Sequence, residues 1–412
     1  VGFRPARESR GAALDGQKGR GSRLLNDSRG NLWVGTGGQG LWRIQHKPSG
    51  AVRRFQRTST MTGMSDDGVT DLLEDRDGNI WVATRDGLNR LTPHKMTPIM
   101  DLGIVNAVDV TPEGRVWVGT ADALVAFEGG TITSRSAPVV IPNPPLTAMH
   151  ADDRGTLWIA SADELSRIVR GRREVVPLRG NALRNLTDIT SDGAGGLWLH
   201  DAELGLWNWR HGQLTPAAIP ASLQLVPLLA SYTDRERRAW FAYQNGRVAR
   251  IEPSGAVSVF GDGDGLTAGP YRSIHQDRAG AIWFGGNRGL SLFAHDEFRT
   301  LPPLMATALL PITGIVDDPS GNLWLALEGA GLLRLSGAEL ARALSEPGYR
   351  PRSTGYDKVD GSAGTSRWFG HRAAVRATDG RLWFVAGRGV TVVDPDVLDD
   401  ATKPASAVRI EG

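Results

Sequence analysis

The chain has 412 residues, with 47 Lys and Arg against 45 Asp and Glu, so its formal charge is +2. That balance gives no electrostatic reason to expect a nucleic acid partner, and the absence of cysteine removes disulfides, thiolate nucleophiles and Cys-based metal sites. No apolar run approaches the ~18 residues a membrane-spanning helix needs, so no membrane insertion is expected within this stretch.

The chain opens on Val1 without a basic-then-apolar signal segment, and it reads as a mature or excised piece of something longer. Its first residues, with Arg4, Arg7, Arg10, Lys18, Arg20 and Arg23, read as a solvated end rather than a phosphate-binding arm. A repeat then begins. Trp33, Trp81, Trp117, Trp158, Trp198, Trp240, Trp283, Trp324 and Trp383 recur at intervals of 36 to 59 residues, each inside the same local phrase. An Asp stands six before the Trp, failing only at Thr111 and Ala377, and a Gly three before, failing only at Arg237. Asp27-Ser28-Arg29-Gly30-Asn31-Leu32-Trp33-Val34 is the first copy and Asp75-Arg76-Asp77-Gly78-Asn79-Ile80-Trp81-Val82 the second.

Asp-x-x-Gly between apolar runs is hairpin chemistry, since the carboxylate accepts from turn amides and Gly takes the positive-φ position without steric cost. Runs such as Val69-Thr70-Asp71-Leu72-Leu73-Glu74 before the turn and Leu-Trp-Val-Gly-Thr after it read as strands. A Gly-Leu step (Gly40-Leu41, Gly87-Leu88, Gly205-Leu206) marks a second turn into a third strand, and a weaker fourth follows (Val52-Arg53-Arg54-Phe55). Four strands in ~44 residues, repeated nine times, cannot bury both faces singly, so neighbouring units must cover each other. The expected fold is all-β, a β-propeller of four-stranded antiparallel blades. The unit at Trp240 has lost the turn glycine and Trp198 is followed by His200-Asp201 where small residues are usual, so those two blades are expected to be locally irregular.

Nine units are awkward for one ring of four to eight blades. The shortest interval, Trp81 to Trp117, follows Thr92-Pro93-His94-Lys95-Met96-Thr97-Pro98. A break there gives residues 1–95 as two blades from the end of a preceding, truncated propeller and residues 96–412 as a seven-bladed propeller; a single irregular ring of eight or nine is the rival. Ser336-Gly337-Ala338-Glu339 has capping-box spacing, which predicts a short helical insertion near 336–346. It belongs to a long insertion that also carries Trp368 and His371, either a binding elaboration or a brace for ring closure.

No catalytic motif stands out. The eight histidines show no His-x-His or His-Glu-x-x-His spacing, no Gly-x-Ser-x-Gly elbow or phosphate loop occurs, and Asp75-Arg76-Asp77-Gly78-Asn79 lacks the rest of a calcium loop. No cofactor and no metal is expected. Binding candidates are the variable loops after each Trp strand: Gln39, Arg85, Asp86, Asp122, Asp163, Glu164, Asp201, Glu203, Gln244, Asn245, Asn287, Arg288, Glu328 and Arg388, with Trp368 and His371 from the insertion. A polar rim suits a polar ligand, and solvated loops look the same. Trp42, Trp207 and Trp209 lie outside the repeat position, where stacking on sugar rings and packing between blades are both open.

The phrases LLEDRDGNIWVATRDGLNRL (Leu72 to Leu91), QDRAGAIWFGGNRGLSLF (Gln276 to Phe293), DDPSGNLWLALEGAGLLRL (Asp317 to Leu335) and ATDGRLWFVAGRGVTVVDPDVL (Ala377 to Leu398) resemble the two-component regulator propeller repeat of bacterial sensor histidine kinases. Sialidase Asp-boxes place the Asp five before the Trp, a spacing met only at Asp153. The resemblance implies a periplasmic sensor domain of an inner-membrane protein. Such a domain detects a small molecule or oligosaccharide and signals through a C-terminal stalk and membrane helix to a histidine kinase. It implies no catalysis within this chain. A propeller scaffold for protein–protein contact or homodimerisation is the alternative, and a propeller lyase or hydrolase a third reading.

Overall fold

The structure, a computed structural model, describes residues 23–28, 30–46, 52–76, 78–91, 96–100, 102–128, 135–136, 139–141, 145–161, 164–169, 171–178, 183–304, 310–346, 348–357, 360–363 and 372–400. Most of the basic N-terminal stretch therefore lies outside the described residues. The chain divides into two compact units, Val1–Pro93 with Asp400–Gly412, and His94–Asp399.

The smaller unit holds a four-stranded sheet (Arg23–Asn26, Asn31–Gly35, Leu41–His46, Val52–Thr58) and a three-stranded one (Val69–Glu74, Ile80–Thr84, Leu88–Leu91). Trp33, Leu41, Met64, Val69, Ile80 and Val82 pack between them.

The larger unit holds seven four-stranded antiparallel sheets. Their innermost strands are Val105–Val110, Leu146–Ala151, Leu186–Ser191, Leu228–Thr233, Tyr271–Gln276, Ile312–Asp317 and Ala374–Arg376, numbered here as blades one to seven. Consecutive inner strands touch one another around the series, and that of blade seven returns to that of blade one, which closes a ring. The outer strand of blade seven is Met96–Ile99, paired with Val390–Val393, so both ends of the unit contribute to one sheet. Leu102, Val105, Val118, Phe127, Trp383 and Val385 share the core across this seam, with Phe127 and Trp383 ring centroids 4.9 Å apart. The tryptophan repeat thus folds as the β-propeller its spacing predicts.

The Asp of the repeat has a fuller role than turn formation. In Asp318 one oxygen accepts the Ser320 and Asn322 amides and the other accepts the Trp324 indole N–H at 2.9 Å. The same indole bond recurs at Asp27, Asp75, Asp152, Asp234 and Asp277, at 2.7–2.8 Å. Both oxygens of Asp75 are engaged by Asn79 and Trp81, which makes it a hairpin bracket. Blade seven, with Ala377 at this position, leaves the buried Trp383 Nε1 without a hydrogen-bond partner.

The irregularity expected in two blades is confined. Arg237 replaces the glycine yet keeps its left-handed conformation, φ 64°, while the ladder and the Asp234–Trp240 bond are normal. Blade three has the same pairing and bulge as its neighbours. The helix near 336–346 forms as Gly337–Ser345, with Ser336 Oγ accepting the Glu339 amide at 3.2 Å. Glu339 does not complete the reciprocal bond; it accepts from Tyr349 Oη and the Arg352 amide instead. Among the described residues no helix is long and apolar enough to cross a membrane.

Candidate functional site: the central channel of the seven-bladed unit

Each inner strand pairs the residue eight before the repeat Trp directly with that Trp. In ring order these residues are Asp109, His150, Thr190, Tyr232, His275, Val316 and Val375. Blades one to five place hydrogen-bonding groups there, where an aliphatic residue would only fill space. Asp188, Arg235, Arg272, Arg372 and Arg376 join the last six of these around a channel cavity of about 230 Å³, with Asp109 behind the wall.

Two charged clusters reach this channel, through His150 and Arg372 and through His275 and Arg376. Asp109, 0% exposed, accepts from Arg372 Nη1 at 2.9 Å and from the Ala151 amide at 2.8 Å. His150 Nδ1 lies 3.6 Å from the same carboxylate. Burial alone would push the Asp109 pKa up; Arg372, His150 and the amide overcome it and hold the carboxyl at about 2. Arg372 is held above its ordinary value by Asp109 against the opposing effect of burial, and its guanidinium lies 5.7 Å from the Tyr232 ring. In the second cluster His275 Nε2 stands 2.8 Å from Asp317 Oδ1, and Arg376 Nη1 is 2.8 Å from Asp317 Oδ2. Burial again opposes ionisation, and His275 and Arg376 bring Asp317 down to about 2.

Asp188 behaves oppositely. It occupies the position ten before the Trp, which is Ala107, Ala148 and Ala230 in other blades, and it pairs with His200 where others have Gly119, Ala160 and Ala242. Burial pushes its carboxyl up to about 7, only partly offset by hydrogen bonds from Ser231 and the Ile189 amide and by Arg372. His200 is driven down to about 4 by burial and contacts Thr187 Oγ1 at 2.7 Å, so it is neutral near pH 7.

His150 Nε2 is 2.7 Å from Ser191 Oγ, so Ser191, His150 and Asp109 fall in line. The Asp109 carboxylate, however, is directed to Arg372 and the Ala151 amide rather than closely to the imidazole. The line orders polar groups around the channel better than it activates a nucleophile, which needs a tight base–orienter bond.

The channel opens at the face formed by the hairpin turns after the inner strands, through hollows of about 600 and 380 Å³. The loops after the Trp strands lie at the opposite face, as antiparallel meanders require. Of the sequence candidates there, Asp122, Glu203, Gln244, Asn245, Arg288 and Arg388 are exposed. Glu164 pairs with Arg173. Arg272 brings two together, donating to Asn287 Oδ1 at 2.9 Å and lying 3.5 Å from Glu328. Asp201 must be reassigned: it is 1% exposed and accepts the amides of Arg184, Asn185, Glu203 and Leu204, so it is a loop brace with no open valence. Gln39, Arg85 and Asp86 are exposed in the smaller unit, where Arg85 reaches the Gly37 carbonyl. Asp163, Trp368 and His371 lie outside the described residues. Trp209 packs edge-on against Trp158 at 5.4 Å, and Trp207 donates to the Leu204 carbonyl.

Residues 63–86 match the two component regulator propeller family. No curated protein sequence matches the chain. Among solved structures, the extracellular domain of a hybrid two component system from B. thetaiotaomicron superposes with a TM-score of 0.73 at 16% identity, covering 93% of this chain and 52% of that one. The extracellular domain of a one component system from the same organism gives 0.56 at 16% identity, with 90% and 52% covered. A streptogramin B lyase gives 0.55 at 14% identity, with 73% and 96% covered. The chain spans about half the length of the two extracellular domains, and likeness at these identities speaks to fold. The chain is thus a β-propeller in which residues 63–86 match the two component regulator propeller repeat, with a fold shared by these extracellular domains and the lyase.

Proposed function

We propose that the chain is the ligand-sensing propeller of a membrane-bound two-component receptor, held outside the cytoplasm and coupled to a histidine kinase encoded beyond this stretch. The observation that carries this reading is the polar channel, in which titratable side chains from several blades converge inside a closed ring. A polar molecule bridging those blades would favour one arrangement of the ring over another, and a ligand shifts an equilibrium only through such differential contacts. We also propose that residues 1–95 belong to a separate propeller from residues 96–412. The domain itself is non-catalytic on this reading, and the channel groups orient a ligand.

Thermal-shift screening against sugars, sugar acids and oligosaccharides tests the sensing role. At least one class is expected to raise Tm, since ligand at a hundred times Kd stabilises by ~2.7 kcal/mol; protection by none would contradict it and favour a scaffold. Turnover of activated esters above buffer that disappears in Ser191→Ala would contradict the non-catalytic reading. The coding sequence that continues the chain is expected to hold a membrane helix and a kinase.

A further inference from the structure

Three exposed arginines stand around one mouth of the channel without a carboxylate partner. Arg154 comes from the hairpin turn of blade two, Arg235 and Arg237 from that of blade four, and among the described residues none forms an ion pair. Other arginines divide between ion-paired ones, as in Arg115–Glu128, Arg167–Glu174 and Arg250–Glu252, and scattered exposed ones such as Arg247 and Arg288; the three here are gathered around one hollow. The three flank a hollow of about 380 Å³ whose floor includes Arg372.

Between them runs the turn of blade three, Asp192-Gly193-Ala194-Gly195-Gly196. A Cβ at Gly195 would fall 2.7 Å from Arg154 Nη2, and one at Gly193 would fall 2.5 Å from Arg237 Cβ. The bare turn is what lets the arginine side chains lie against its backbone. Asp192 faces inward, accepting from the Ala194 and Gly196 amides and from Arg210, while the Gly193 and Gly195 amides make no hydrogen bond within the described residues. The acidic groups nearby have other partners or face solvent: Asp152 accepts from turn amides and the Trp158 indole, Asp234 is paired with Arg238 and the Trp240 indole, Glu236 binds Arg238 and Gln276, and Asp153 and Glu113 are exposed.

We infer that this mouth binds an oxyanion-bearing small molecule, its carboxylate, sulfate or phosphate group held by Arg154, Arg235 and Arg237 over the glycine turn of blade three. Guanidinium forks and free backbone amides are the donors such groups need. The inference rests on the channel being the ligand site proposed above, and it adds the charge class of the ligand.

The test is calorimetry and thermal shift at constant ionic strength, balanced with sodium chloride, using inorganic sulfate, inorganic phosphate, glucuronate, and glucose as the neutral counterpart. One oxyanion is expected to protect beyond chloride, and the responding compound identifies the group. Arg154→Gln with Arg235→Gln should weaken that binding at least about tenfold, with the unliganded Tm unchanged, whereas Arg288→Gln on the opposite face should leave it intact. No oxyanion protection, or undiminished binding by the double variant, overturns the inference. Glucose binding as well as glucuronate overturns the charge class yet leaves the sensing role standing. Should the double variant not fold, wild-type affinity that is unchanged by added sodium chloride overturns the inference equally.

Discussion

At the scale of the residue, the repeat is organised by a carboxylate that closes a hairpin and anchors the indole packed between blades. Asp318 is fully buried, so Asp318→Ala removes an acceptor from Trp324 Nε1 and from two turn amides at once. A loss of about 2–4 kcal/mol is expected in chemical denaturation. The converse is available at Ala377, where Trp383 Nε1 is buried and unpaired; Ala377→Asp should gain about 1 kcal/mol in the same assay. A null result at both positions would mean that the indole bond contributes nothing to stability. This carboxylate recurs six residues before the Trp in seven of nine copies of a regular phrase, so its turn role was readable. Its bond to the Trp was not, because a spacing of six crosses a hairpin and reveals contact only once the register is known.

At the scale of the element, the polar side chains that converge in the larger unit stand mostly on the inner strands, whereas the sequence drew attention to the loops. The loops drew attention because they vary in sequence, yet Asp201 proved to be a brace and the convergent charges lie on strands. Asp109, His150, Tyr232 and His275 were all visible as polar residues eight before a Trp, where Leu25 and Leu73 stand in the smaller unit. What sequence lacks is the knowledge that this position turns toward a shared axis. Arg372 lies outside any strand and gave no periodic signal at all.

Asp188 gives this element a pH dependence of definite sign. Its folded-state pKa, about 7, exceeds the unfolded value, so stability from this group is fully present below pH ~4 and is lost as pH rises through 7. Asp109 and Asp317, at about 2, act in the other direction and withdraw stability as pH falls from ~4 toward 2. Asp188→Asn should therefore raise stability by about 1–3 kcal/mol at pH 8, the cost of ionising this carboxyl being discounted for channel water, with little gain at pH 4. An equal gain at both values would show that Asp188 is ionised throughout.

At the scale of the whole molecule, the propeller class followed from nine copies of one phrase. The sharing of blade seven between distant strands did not, because Met96–Ile99 pairs across almost three hundred residues with Val390–Val393. On the proposed sensing role, the functional question is which face of the ring receives a ligand. Hydrogen exchange of the larger unit, with and without a compound that raises Tm, addresses it directly. Protection is expected in the hairpin turns at residues 192–196 and 234–238 and at the ends of the inner strands that lead into them. Protection confined to the opposite loops, at residues 244–247 and 287–288, would contradict a ligand site in the channel mouth.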